Sequence, residues 1–209
     1  MIVLDHREWH PIYMDIVSHF GYSVEEDRRS ARLLGELRGT DGLEPLEKLR
    51  GKRVEVQGPL MEVPREEIQI PAGSAISRAL EMGGKPYMIV TDLDGDTEKQ
   101  LEANLNGVTA VIHAHGDNMD LVNEWAGRFT GHVISTCQCE PVRGVYNFGG
   151  FTDGDRAVFI ADHFGAREIV LNGWDLGTPV GDEQGVKREK LRWAKTLLDL
   201  IRTPLIYVD

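Results

Sequence analysis

From Arg53 to the end of the chain, short apolar runs alternate with stretches of helical character, and most runs end in a glycine- or acid-rich turn. The runs cover residues 54–57, 67–70, 87–90, 109–113, 132–135, 145–148, 168–171 and 205–208. Helical stretches occupy 74–82, 97–105, 118–129, 155–164 and 186–202. Strands separated by helices do not close as tight hairpins; they cross over, pair in parallel and carry helices on both faces. The expected fold class is therefore α/β, a doubly wound, mostly parallel, Rossmann-like sheet.

The first fifty residues carry a different period. Trp9, Ile12, Tyr13, Ile16, Val17 and Phe20 form one apolar stripe of a helix that Gly21 ends. Ser23 with Glu26 reads as a capping box opening a second helix to about Arg38, and residues 39–42 break it. Residues 1–50 are thus expected to form an N-terminal helical cap with no chemistry of its own. Residues 51–209 would form the catalytic α/β domain.

Composition narrows the partners. Thirty-four acids against 23 bases give 209 residues a net charge of −11, which disfavours nucleic acid as a ligand. No apolar run is long enough to span a bilayer, and residues 1–10 lack a signal-peptide pattern. The cysteines, Cys137 and Cys139, are too close for a framework disulfide and read as reduced strand residues. A cytoplasmic protein is expected. Its oligomeric state is open, a homodimer being one option.

The turn Thr91-Asp92-Leu93-Asp94-Gly95-Asp96 follows one of the apolar runs. Open α/β sheets bind ligands just beyond the carboxyl ends of their strands. Carboxylates gathered there repel one another unless a cation holds them, and such hard oxygen donors suit Mg²⁺. Ordinary Asp-Gly turn chemistry accounts for the same residues without a ligand.

Three further loops have the same placement. His113-Ala114-His115-Gly116-Asp117-Asn118 offers two histidines on one side of a strand, suited to a zinc hydrolase site, or else a helix cap beside a packed histidine. In Gly149-Gly150-Phe151-Thr152-Asp153-Gly154-Asp155-Arg156 the paired glycines allow close approach of a ligand, while Thr152 or Asp153 can serve as an N-cap. Asp175 ends another strand. Capping explains any one of these acids and explains the whole set less well. Lys187, Arg188 and Lys190 sit in the first turns of the last helix, where a bound anion would offset their clash with the macrodipole. A solvated charged face is the alternative there. Neither GxxxxGK[ST] nor GxGxxG occurs.

Read in order, VTDLDG (90–95), HAHGDN (113–118), NFGGFTDGDRA (147–157), GWDLG (173–177) and KREKL (187–191) resemble the archaeal 6-hydroxymethyl-7,8-dihydropterin pyrophosphokinases, relatives of thiamin pyrophosphokinase. The likeness runs from about residue 54 to 201. Two loops depart from it. Gly58-Pro59-Leu60 stands where that family has Gly-x-Gly-Pro-Ser, and Pro71-Ala72-Gly73-Ser74-Ala75 stands where Ala-Asp-Gly-Ala is expected.

The resemblance implies Mg²⁺-dependent transfer of the terminal diphosphate of ATP to the hydroxymethyl group of the pterin. The products would be AMP and the pterin diphosphate, on the route to tetrahydromethanopterin. It implies Asp92, Asp94 and Asp117 on Mg²⁺ with Asp96 further out, and Gly58, Asn118, Lys187 and Lys190 on ATP. His115 or a carboxylate would accept the hydroxyl proton, and Gly150, Thr152, Asp153, Asp155 and Asp175 would meet the pterin. Three other readings of the residues stay open. One is a glycosyltransferase using Asp94-Gly95-Asp96 as a DxD loop, and another a metal hydrolase using His113, His115 and Asp117. The third is a nucleotide-binding module without catalysis.

Overall fold

The computed structural model describes residues 6–176 and 184–208, and in them the alternation becomes seven strands and eight α-helices. The strands are β1 (Arg53–Gln57), β2 (Ile68–Pro71), β3 (Met88–Thr91), β4 (Thr109–Ala114), β5 (Val133–Cys137), β6 (Glu168–Asn172) and β7 (Leu205–Val208). The helices are α1 (His6–Phe20), α2 (Val24–Leu37), α3 (Glu44–Glu47), α4 (Ala75–Glu81), α5 (Thr97–Leu105), α6 (Met119–Trp125), α7 (Asp153–His163) and α8 (Gln184–Leu198). Every strand pair is parallel.

Two sheets, β2-β1-β6-β7 and β3-β4-β5, meet edge to edge. Tyr87 N donates to Gln69 O at 2.9 Å and Gly73 N to Val90 O at 2.8 Å, with a parallel bridge between Ala72 and Val90. The order across the molecule is β5-β4-β3-β2-β1-β6-β7. The chain steps from β1 to β5 in one direction, then returns to lay β6 on the other side of β1. That reversal makes the β1/β6 boundary the topological switch point, where such sheets open a crevice beyond their carboxyl ends.

The period of two in each strand feeds both faces. Met88, Val90, Val111 and Ile134 join α7 residues Val158 and Ala161 in one cluster. Ile89, Ala110, Ile112 and Val133 point the other way, against Leu34 of α2, Ile76 of α4, Ala103 of α5 and Val122 of α6. The β1–β2 crossover differs, because residues 58–67 contain no helix. The face they cover is polar, with Glu55, Gln57 and Asn172 fully buried. Glu55 accepts hydrogen bonds from the Arg65 and Glu66 amides, both at 2.7 Å, and from Gln57 and Asn172 at 2.9 and 2.8 Å. Irregular backbone cannot satisfy itself as a helix does, so a buried loop needs acceptors from the strand beneath it.

Most elements fall where the sequence places them, and α5 does so to the residue. Residues 145–148 do not form a strand. Tyr146 makes two backbone bonds with β5, and then the Asn147 side chain bonds Gln138 O, Cys139 O and Gly149 N, which ends the pairing. Helix α7 starts two residues before the expected 155, and α8 ends before 202. The short α3 went unanticipated. At the N-terminus, Ser23 accepts from the Glu26 amide at 3.3 Å to open α2, and the α1 stripe of Trp9, Tyr13, Ile16 and Val17 is buried.

Candidate functional site

A cleft of about 450 Å³ opens beyond the carboxyl ends of β1, β2, β3, β4 and β6. Its wall at the switch point is backbone. A Cβ on Gly58 would sit 2.4 Å from the Gly173 carbonyl oxygen, so only glycine lets β1 and β6 leave the sheet this close together. Trp174 closes the same wall, with its indole N–H bonded to Val56 O at 2.9 Å.

The acidic wall is the loop after β3. Leu93 is buried and lies in the left-handed region at φ 67°, an unusual conformation for leucine held by Thr91 Oγ1 accepting its amide at 2.9 Å. With Leu93 anchored in the core, Asp92 and Asp94 line the cleft on either side of it. Asp96 does not line it; Ser77 donates to its carboxylate. The DxD reading therefore has only its first acid, Asp94, in the cleft.

The β4 loop divides in the same way. His115 and Asp117 line the cleft. His113, 2% exposed, does not, and its Nδ1 lies 3.0 Å from Thr136 Oγ1. Burial, and then the nearby Arg156 charge, push the His113 pKa well down, so it stays neutral. The hydrolase reading thus loses one of its two histidines to the core. Asn118 is a brace: its amide donates to Asp92 O and His113 O, each at 2.7 Å, and its carbonyl accepts from His115 N at 2.9 Å.

At the start of α7, Thr152 and Asp153 face the cleft and Asp155 does not. Asp155 accepts from the Phe151 and Thr152 amides at 2.6 and 2.8 Å, which uses it to cap α7. Gly150 lacks a Cβ because one would lie 2.5 Å from Arg156 Cα. Its freedom serves the α7 start and not a ligand. Asp175 lines the cleft beside Trp174, and α8 contributes Lys187 and Lys190, the latter 5.9 Å from the Phe151 ring centre. Gly177 lies outside the described residues.

Charge is unevenly settled within this space. His115 Nε2 lies 3.5 Å from Asp92, and Arg156 bonds Asp153 at 3.1 Å. Burial opposes ionisation of Asp92, but the His115 contact and the Arg156 charge outweigh it and hold the carboxyl at about 2. Asp153 goes the other way: burial, with Asp92 facing it, raises its pKa well above the usual range. Two half-buried carboxylates that oppose each other's ionisation are the chemistry a hard cation resolves.

Several cleft residues carry little or no signal of their own in the sequence. Arg156 and Trp174 lie inside motifs noticed for their acids and glycines. Tyr22 and Gln138 reach the cleft only through tertiary packing, so no local pattern marks them. Among the described residues no three of His, Cys, Asp and Glu already converge as a metal centre, and no helix is long and apolar enough to cross a membrane.

Fold and cleft together define a class: a doubly wound α/β protein with an acidic ligand crevice at the switch point of its sheet. Within that class, the chain belongs to the 6-hydroxymethylpterin diphosphokinase MptE-like family, whose model matches residues 57–181. It is 42% identical, over 94% of each chain, to the 6-hydroxymethyl-7,8-dihydropterin pyrophosphokinase of Pyrococcus furiosus. The enzyme of the same name from Methanocaldococcus jannaschii is 32% identical, over 95% of this chain and 96% of its own. That of Methanothermobacter thermautotrophicus is 42% identical, over 62% of this chain and 61% of its own.

Proposed function

We propose that this chain transfers the terminal diphosphate of ATP to the hydroxymethyl group of 6-hydroxymethyl-7,8-dihydropterin, releasing AMP, in the biosynthesis of tetrahydromethanopterin. The observation that carries the reading is one cleft that joins carboxylates from the β3 and β4 loops to α8 lysines, in a chain of this family. Asp92, Asp94 and Asp117, with Asp153 beside Asp92, supply oxygen donors of the kind Mg²⁺ takes. When bound, Mg²⁺ would neutralise phosphate charge and orient the diphosphate.

The remaining work falls to the chain. Lys187 and Lys190 attract the phosphates and offset negative charge that shifts onto them in a loose phosphoryl-transfer transition state. His115, poised against the low-pKa Asp92 carboxylate, accepts the hydroxyl proton as the oxygen attacks phosphorus. Asp92 then stabilises the resulting imidazolium. Tyr22, Phe151 and Trp174 offer ring surface to a planar heterocycle, and Asp175 and Thr152 offer acceptors for its N–H groups. Gly58, at the backbone wall, allows a nucleotide to approach the main chain.

The test is AMP release from ATP with Mg²⁺, measured with and without the hydroxymethyl-dihydropterin. AMP that appears only with the pterin, together with the pterin diphosphate, supports the reading. AMP formed equally without it, or activity restored after EDTA by Zn²⁺ and not by Mg²⁺, overturns it.

A further inference from the structure

We infer that Asp27, on α2, is a positioning residue of the cleft, although it lies in the N-terminal helices and lines no part of the site. Asp27 is 2% exposed, and its carboxylate gathers three elements. One oxygen accepts from the Gly116 amide at 2.7 Å. The other accepts from the Tyr13 hydroxyl of α1 at 2.7 Å and from the Gln138 side chain at 2.9 Å.

Each partner leads to the cleft. Gly116 stands between His115 and Asp117, the two cleft residues of the β4 loop. It rests so close to α2 that a Cβ there would lie 2.9 Å from the Glu26 Cβ. One turn further along α2, the Ser30 hydroxyl reaches the Asn118 side-chain Oδ1 at 3.4 Å. Helix α2 thus grips the loop on both sides of Asp117. Gln138 lines the cleft itself, and its side-chain Oε1 lies 3.5 Å from the Arg156 guanidinium that bonds Asp153.

A buried carboxylate with three donors is costly to place unless all three are held, and here the three belong to segments far apart in sequence. Side chains that must meet a ligand within about half an ångström need such support from behind. The N-terminal helices are therefore part of the site's construction. The catalytic consequence rests on the diphosphate-transfer reading; the structural one does not.

The experiment uses the full chain and two readouts: amide hydrogen exchange at Gly116, and the Mg²⁺ concentration for half-maximal turnover. In Asp27→Ala, Gly116 exchange is expected to speed up at least tenfold and the Mg²⁺ half-saturation to rise about tenfold, with the melt still cooperative. Asp27→Asn keeps one acceptor and should give intermediate values, and it serves if the alanine variant fails to fold. Tyr13→Phe removes only the α1 bond and should leave Gly116 exchange near wild type. The inference is overturned if a folded Asp27 variant keeps wild-type Gly116 exchange and Mg²⁺ dependence while only its melting temperature falls. It is equally overturned if Tyr13→Phe loosens Gly116 as much as Asp27→Ala does. If the wild-type chain forms no AMP with the pterin, the activity reading fails, and Gly116 exchange alone decides for or against the clamp.

Discussion

The two halves of the sheet solve the same burial problem with opposite chemistry. Around β3, β4 and β5, crossover helices cover the strands, both faces are mainly apolar, and the loops at the carboxyl ends carry exposed acids. Around β1, β2 and β6, a helix-free crossover covers one face, and the strands beneath it bury Glu55, Gln57 and Asn172. The first half presents clustered charge to the cleft, and the second presents mainly backbone, with Asp175 beside it. A helix satisfies its own peptide groups and leaves the strand below free to be apolar; a loop does not. The polar face of β1 is therefore a consequence of its crossover. The close Gly58–Gly173 approach gives a ligand main chain on that side, where the β3 side gives it carboxylates.

The largest expected effect probes the charged half. Asp94→Asn removes an exposed carboxylate from a repelling group, so turnover should fall by about a hundredfold or more. The metal-free melting temperature should stay level or rise slightly. A destabilised but fully active variant would show that this loop serves only as a turn. Glu55→Ala probes the other half, where two loop amides and two side-chain amides lose their acceptor. We expect a stability loss of about 3 kcal/mol in urea unfolding. A loss below about 0.5 kcal/mol would mean that the loop satisfies itself, and the contrast between the halves would collapse.

Smaller effects sharpen the picture. Lys187→Ala and Lys190→Ala should each weaken ATP binding by about fivefold to tenfold, roughly 1 kcal/mol, and leave melting unchanged. Unaltered affinity in both variants would return α8 to an ordinary solvated face. Asp41 gives the smallest signal. Its hydrogen bonds from Arg38 lower its pKa against partial burial, and it accepts the Val133 amide of β5 at 2.8 Å. A depressed carboxylate stabilises the fold above its unfolded value near 4, and that contribution disappears as pH falls through the lowered folded value. Because Asp41 is more than a third exposed, screening limits the effect to about 0.5 kcal/mol. Asp41→Asn should flatten the acid limb of the pH–stability curve by that amount, and an unchanged limb would remove Asp41 from it.

The difference between the halves also governs what could be read in the sequence. Helix-covered strands announce themselves through runs such as 87–90 and 109–113, because burial on both faces forces apolar residues into a row. The 145–148 run looks like a strand for the same reason, yet the Asn147 side chain stops the ladder, and no periodicity encodes that bond. At the cleft, neighbouring acids read alike but act differently. Asp153 faces the cleft and Asp155 caps α7; Asp94 faces it and Asp96 meets Ser77. Local sequence places an acid at a strand end, and only tertiary geometry decides which way it turns. Asp27 and Glu55 carry no local mark because, Gln57 apart, the bonds that give them meaning come from other segments or from loop backbone.

The return of β6 to β1 has a kinetic side. Arg53 pairs with Glu168 across 115 residues (168 − 53), whereas β3, β4 and β5 pair with near neighbours in the chain. Closing so long a loop is entropically late compared with those local pairings. During synthesis, a nascent chain that has not yet emerged to residue 168 can assemble the acidic loops but not the glycine wall. Competence to hold a ligand across the cleft therefore requires this long-range pairing, and bound ligand would favour it by mass action.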